Sequence, residues 1–503
     1  MRRHSFKLVM PLILVEVYWI ITYIIYRYGI IKYPFANDSR VLIFLTMCNL
    51  FFAMGYLIIC HHKRKNCIQN VEMGIENGKK LLLISTIVAV ILYIPNSMRY
   101  TGNWYPDVFN NLVNPGETYQ KVIASVSENG MLRIFGFFDI FPFMIFPLMF
   151  IMWDFLKWKL KLASSVTAFG YLLLYCTGGR NMPILLFVLS VIVTYIVKMC
   201  SDRISLRTFI RDTLICVSSI VLVIVMFTMN LKSRTFYSDD VEEQMTITSV
   251  NQETNHSVNQ ETNHSVNQET NHSVNQETNQ GQNDETGVYL QYKDLIITIE
   301  QKEKCDEVAK IFPMYTNPYT KQYADPDNLL YKAIPDSAKF LCVMADAYAS
   351  GSYHALSVAL RLEHQWTYGI GFSEFLQDYL NMFTGIDIKS ITYGSRVAHV
   401  TEPSMVSVYG WPTAYVQLAG DLTFPGVVVF MGGLGAVVAL LWRDILEKKN
   451  VYGIPFVSQI ALFLLFLPAN CITFNSGGYF VTFWGTALIW LISLQKRKCG
   501  QEK

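Results

Sequence analysis

Apolar residues in this chain come in long blocks, not in alternation. Ten stretches are apolar enough to cross roughly 30 Å of hydrocarbon as helices, for which about 17 to 25 residues are needed. They run approximately Leu8–Tyr26, Val41–Cys60, Leu81–Met98, Ile134–Trp153, Leu162–Thr177, Met182–Val197, Thr213–Leu231, Met405–Trp442, Gly453–Thr473 and Tyr479–Leu494. The two shortest, Leu162–Thr177 and Met182–Val197, form a tight pair around Gly178, Gly179 and Arg180. Met405–Trp442 is one long or broken element, because Gly420, Pro425 and Gly426 surround Asp421 and should interrupt its helix. The pattern predicts an all-α, polytopic membrane bundle of about ten spans. Residues 1–231 carry seven spans, 232–404 form one large loop, and 405–503 carry three more.

Composition narrows the class. At 503 residues, 52% hydrophobic and 16% charged, the chain is too apolar for an ordinary soluble protein. Its net charge of +2 says little, because basic residues in such chains are sorted by side of the membrane. With a cytoplasmic N-terminus, the inner segments hold 22 of the 41 lysines and arginines, the short outer loops 7 and the long insertion 12. Both termini are therefore expected inside and the insertion outside. Met1–Lys7 leads into an apolar run without a small-residue cleavage site, which predicts an uncleaved first span. The ten cysteines form no CxxC pair and no metal spacing, and Cys48, Cys60 and Cys216 sit in apolar runs where they pack as small hydrophobes.

The insertion, Lys232–Glu402, sets 24 acidic residues against its 12 basic ones. An acidic segment does not attract a polyanion through its bulk field, which argues against a nucleic-acid partner and leaves any anion site to particular arginines. Three copies of NQETNHSV from Asn251 to Val274, and a partial copy to Gln280, offer no apolar positions for a core and predict a disordered spacer. Its histidines His256, His264 and His272 carry only a weak metal signal. Asp325-Pro326-Asp327-Asn328 could suggest a metal-binding DxD, but a proline-centred turn explains it better. From Asp336 to Leu362 apolar residues recur at helical spacing, which predicts an amphipathic helix at the outer interface with Tyr348 and Tyr353 at headgroup level.

Candidate chemistry concentrates near the last spans. Arg361-x-x-His364 and Arg396-x-x-His399 share one layout, and on a helix positions three apart present a guanidinium and an imidazole together. Glu363 and Glu402 lie close by in sequence. Arginine suits a diphosphate because its rigid fork makes paired, charge-assisted hydrogen bonds, and a histidine or carboxylate can take a hydroxyl proton. The plainer reading has these arginines reaching lipid headgroups or pairing with Glu363 and Glu402. Arg180 sits at the mouth of a glycine turn, whereas Arg99, Arg133 and Arg234 stand at span ends where anchoring is the default. Glu16, Asp139 and Asp421 are ionisable groups within spans; Glu16 and Asp139 suit a bundle interior.

The run from Ala347 to Ser357, Tyr368-Gly-Ile-Gly-Phe-Ser373, Trp411-Pro-Thr-Ala-Tyr415, and Asp421–Gly426 followed by Gly432, Gly433 and Gly435 resemble the C-terminal signature of Wzy-type bacterial oligosaccharide repeat-unit polymerases. The long outer loop and the Gly178-Gly179-Arg180 hairpin fit as well, and the family's span count allows a further helix pair, twelve in all. The resemblance implies a membrane glycosyltransferase for O-antigen, capsule or exopolysaccharide. Its substrates would be polyprenyl diphosphate-linked saccharides, at the outer face of the bacterial cytoplasmic membrane, with no metal or other cofactor. Arg180, Arg361 and Arg396 would hold diphosphate. His399, with Glu402 or His364 in reserve, would orient or deprotonate the acceptor, and Asp421 and Tyr393 would support the site. A chain-length regulator and a flippase are the implied protein partners. Two alternatives are a ligase that moves finished polymer to another acceptor and a transporter of lipid-linked saccharide. A transporter is expected to show internal duplication and several midplane charges, and the sequence displays neither.

Overall fold

The computed structural model describes residues 2–33, 37–62, 71–128, 130–179, 181–201, 205–230, 323–325, 327–361, 366–367, 369–386, 388 and 412–499. Among them the fold is an all-α bundle. Eight helices are long and apolar enough to cross a membrane: Phe6–Tyr28, Ser39–His61, Gly136–Phe155, Trp158–Thr177, Asn181–Cys200, Leu206–Asn230, Ala414–Lys448 and Gly477–Leu494. The bent pair Gly74–Ile91 and Tyr93–Thr101 and the shorter Gly453–Phe466 complete the series. Each overlaps one of the ten expected stretches, so they are numbered below as ten spans in chain order.

Local chemistry explains the irregularities. The third span bends by 63° between Ile91 and Tyr93, where Pro95 has no N–H to give the carbonyl four residues back. The Tyr171 hydroxyl from the fifth span donates to the Ala89 carbonyl at 2.9 Å, satisfying backbone beside the bend. The second span starts on Asp38, whose carboxylate accepts from the Arg40 N–H at 2.9 Å. At its far end the buried Arg443 guanidinium donates to the Ile59 and His62 carbonyls at 2.6 and 2.9 Å, supplying donors that a helix C-terminus lacks.

The second and eighth spans pack backbone to backbone. A Cβ on Gly55 would fall on the Gly432 carbonyl, and one on Gly435 on the Phe52 carbonyl. Such close approach is how helices associate where lipid offers no hydrophobic drive. The eighth span is broken, as its sequence suggests, at Thr423, whose φ of 62° and ψ of 163° leave the helix just before Pro425. The Thr423 hydroxyl accepts from the Gly426 N–H at 3.3 Å and so caps the second half.

Two apolar clusters make the core, one around the first, second and eighth spans and one around the third to sixth. The insertion returns to the first cluster. Its strand β2, Tyr323–Ala324, pairs antiparallel with β1, Ile31–Lys32, directly after the first span. The Asp346 carboxylate accepts from the Ile30 and Ile31 N–H groups and from the Ser350 hydroxyl.

Here one expectation is corrected. Within the expected helix from Asp336 to Leu362, the described residues form two helices, Asp336–Ser350 and Ser352–Ala359, instead of one. Every residue of Ser352–Ala359 is buried. Tyr353 is fully enclosed with its hydroxyl 3.0 Å from that of Thr22, so its ring packs inside the protein and does not face headgroups. One-sided periodicity does not register the polar residues Ser352, His354 and Ser357, which are buried here as well.

Candidate functional site

A cavity of about 550 Å³ lies where the third, fourth, sixth, seventh, ninth and tenth spans meet the helix Asp336–Ser350. Most of its lining comes from the span ends nearest the insertion, joined by Tyr18 from the middle of the first span and Tyr119 from the helix Pro115–Glu128. The lining mixes polar and aromatic side chains, among them Arg99, Tyr100, Tyr119, Asp139, Asn470 and Tyr479, with apolar ones such as Ile184, Leu185, Val223 and Phe227 from the sixth and seventh spans. Tyr348 closes it from the insertion, its ring packed edge-on against Phe227 at 5.3 Å.

Two opposite charges meet in the lining. The Arg99 guanidinium reaches Asp139 with both terminal nitrogens, one bond being 2.7 Å from Nη1 to Oδ1. Nη1 also donates to Asn96 Oδ1 at 3.0 Å, and the guanidinium lies 4.9 Å from the Tyr100 ring centre. The two side chains keep 15% and 12% exposure, and that remnant faces the cavity. Space for this pair depends on the start of the tenth span, where a Cβ on Gly478 would strike the Asp139 carboxylate. Sequence reasoning placed Arg99 as an anchor and Asp139 in the bundle interior. Opposite charges at the same end of consecutive spans were the signal that joins them.

Asp421 organises a second feature. Its carboxylate accepts from the Thr367 hydroxyl and from the N–H groups of Gly369, Gly371 and Phe372, at 2.8, 3.4 and 2.9 Å for the three backbone donors. The Gly420 carbonyl, exposed by the helix break, accepts from the Thr367 N–H at 3.3 Å. Asp421 therefore pins the loop 366–373 to the broken span, and the next helix, Glu374–Thr384, begins on Ser373, whose hydroxyl binds the Phe474 carbonyl. Gly369 has φ +79°, a conformation glycine adopts at no steric cost.

The predicted arginines and histidines divide. Arg361 lies in a turn just past the helix Ser352–Ala359, and its Nη2 pairs with Asp38 Oδ2 at 3.2 Å. Asp38 is thus shared between capping the second span and neutralising Arg361. His354, fully buried seven residues earlier, is pushed down to about 4 by burial and by the Arg361 charge, so its ring is neutral at pH 7. Arg180, His364, Tyr393, Arg396, His399 and Glu402 lie outside the described residues, as do the octapeptide copies with His256, His264 and His272. On either side of Arg180 in sequence, Gly179 turns at φ +62° against the Pro115 carbonyl and Tyr119, and Asn181 lines the cavity. Gly178 and Gly179 are accounted for by close approach to Tyr100 and Pro115. The stretch after Asp325 is a turn, as expected, with the Asp327 N–H on Asp325 Oδ1 at 3.0 Å. Compared with protein-family models, with curated proteins and with solved structures, the chain matches none.

Proposed function

We propose that this protein is an integral membrane glycosyltransferase of the oligosaccharide repeat-unit polymerase type. It moves a growing glycan from its polyprenyl diphosphate carrier onto a newly exported lipid-linked repeat unit, at the outer face of the bacterial cytoplasmic membrane. One observation carries the proposal. The cavity is lined by polar and aromatic side chains together with apolar ones, largely at the span ends facing the insertion, the combination that a lipid-borne saccharide requires.

Diphosphate is already a competent leaving group. The protein's tasks are to hold it, stabilise the charge that develops on it, and align the acceptor hydroxyl with the anomeric carbon. Arg180, Arg361 and Arg396 take the diphosphates in this scheme, and His399, with Glu402 or His364, takes the acceptor. Arg361 would exchange Asp38 for substrate, a partner change that its 28% side-chain exposure permits. A chain-length regulator and a flippase are the expected protein partners.

The test is the surface polysaccharide of a deletion strain, resolved by gel with and without the restored gene. A polymerase leaves single capped repeats, a ligase leaves lipid-linked polymer, and a transporter leaves unexported units. Arg361→Ala and Arg396→Ala should each yield membrane-inserted protein and single-repeat product. Normal long polymer from both would overturn the assignment.

A further inference from the structure

We propose that the cavity is a subsite for an uncharged saccharide unit and that the diphosphate is held elsewhere; this rests on the glycosyltransferase reading above. The first argument is charge. Arg99 is the cation on the cavity wall among the described residues, and it is already neutralised by two parallel bonds to Asp139. A neutral pair gives an entering diphosphate no net attraction, and the Asp139 carboxylate beside it repels one. Hydroxyl groups meet no such penalty. They can donate to the carboxylate and accept from the guanidinium, in charge-assisted hydrogen bonds stronger than neutral ones.

The second argument is an unused acceptor. Asn470 is 6% exposed and lines the cavity, and its Oδ1 has no hydrogen-bond partner among the described residues. Oδ1 is sealed from solvent in this conformation, and a buried carbonyl left in that state costs about 1–3 kcal/mol, which a ligand hydroxyl recovers once the side chain turns toward the cavity. The third argument is shape. Tyr100 and Tyr479 offer flat apolar rings with polar tips, suited to the C–H faces and hydroxyl edges of a sugar ring. The volume of about 550 Å³ lies within the roughly 300–1,000 Å³ of small-molecule sites.

The experiment uses the purified full-length protein in lipid nanodiscs. The probe is the phosphate-free oligosaccharide released by mild acid from the lipid fraction that a deletion strain accumulates. Wild-type protein should bind it, inorganic pyrophosphate should not displace it, and Asn470→Leu should weaken binding at least tenfold, about 1.4 kcal/mol. Ser476→Ala, another residue lining the cavity, should weaken it less, and it carries the test if Asn470→Leu does not elute as a single folded species, unchanged affinity then overturning the proposal. Displacement by pyrophosphate, or unchanged affinity in a folded Asn470→Leu protein, overturns the proposal. If the deletion strain accumulates no lipid-linked saccharide, the polymerase reading fails first. An array of neutral glycans then replaces the probe, and no binding there overturns the subsite as well.

Discussion

Contact between the second and eighth spans makes a graded prediction across four glycines. Alanine adds one methyl and, within a helix, gains about 0.5–1 kcal/mol over glycine in backbone propensity. At Gly433 nothing lies within 4 Å of the added Cβ, so that gain should be realised in full. At Gly432 the nearest atom is the Phe51 carbonyl oxygen at 3.5 Å, an ordinary contact without penalty, so most of the gain should be kept. At Gly55 and Gly435 the Cβ falls far inside 3.0 Å of a backbone carbonyl, and backbone cannot swing aside as a side chain can. The helices must part by roughly 1 Å or more, losing dispersion contacts along their length. Overpacking of this kind costs about 1–3 kcal/mol and sometimes more, so a net loss of about 2 kcal/mol is expected for Gly55→Ala and Gly435→Ala. Thermal unfolding of the four purified variants in one detergent ranks them directly. Equal midpoints for Gly55→Ala and Gly433→Ala would refute the backbone contact.

Three further outcomes follow from named contacts. Asp139→Asn strands the Arg99 charge and should destabilise by about 3–5 kcal/mol, whereas the double variant Arg99→Met/Asp139→Leu should recover most of it; a double-mutant cycle with no coupling would contradict the pair. Asp421→Asn leaves one acceptor oxygen for four donors and turns an amide N–H toward the rest, so the loop 366–373 should exchange its amide hydrogens at least tenfold faster while the spans do not. Burial pushes Asp346 up to about 6, from an ordinary 3.8, so the folded state holds that proton more tightly than the unfolded chain. Its contribution to stability is therefore complete below about pH 4 and is lost as pH rises through about 6, a difference of about 3 kcal/mol that Asp346→Asn should abolish in pH-dependent melting.

Much of the architecture was legible because a span announces itself by a long apolar run, and each of the ten stretches meets a helix. Broken helices were partly legible. Gly420, Pro425 and Gly426 marked the eighth span for interruption, yet the break settles at Thr423, where the loop 366–373 docks on Asp421 from fifty residues away. The helix Ser352–Ala359 was misplaced for a related reason. Amphipathic spacing identifies one apolar face, but the polar face is also enclosed, with the Ser357 hydroxyl turned back to the His354 carbonyl at 2.9 Å. Pairings between distant residues were barely legible, with matched charges at neighbouring span ends the one hint for Arg99 and Asp139. Arg361 meets Asp38 across 323 positions, and Arg99 meets Asp139 across 40, each a chain neighbour of nothing that marks it. Single-sequence patterns encode what a residue avoids, and only the fold decides which partner lets it stay.

The central claim is that this chain elongates lipid-linked saccharide. Its most direct test reconstitutes purified protein in liposomes with the lipid-linked fraction from a deletion strain and resolves the products by size. Polymerase activity predicts a ladder rising in steps of one repeat unit, made by wild-type protein and lost in Arg396→Ala. A fraction that stays at one repeat in the presence of folded wild-type protein would contradict it.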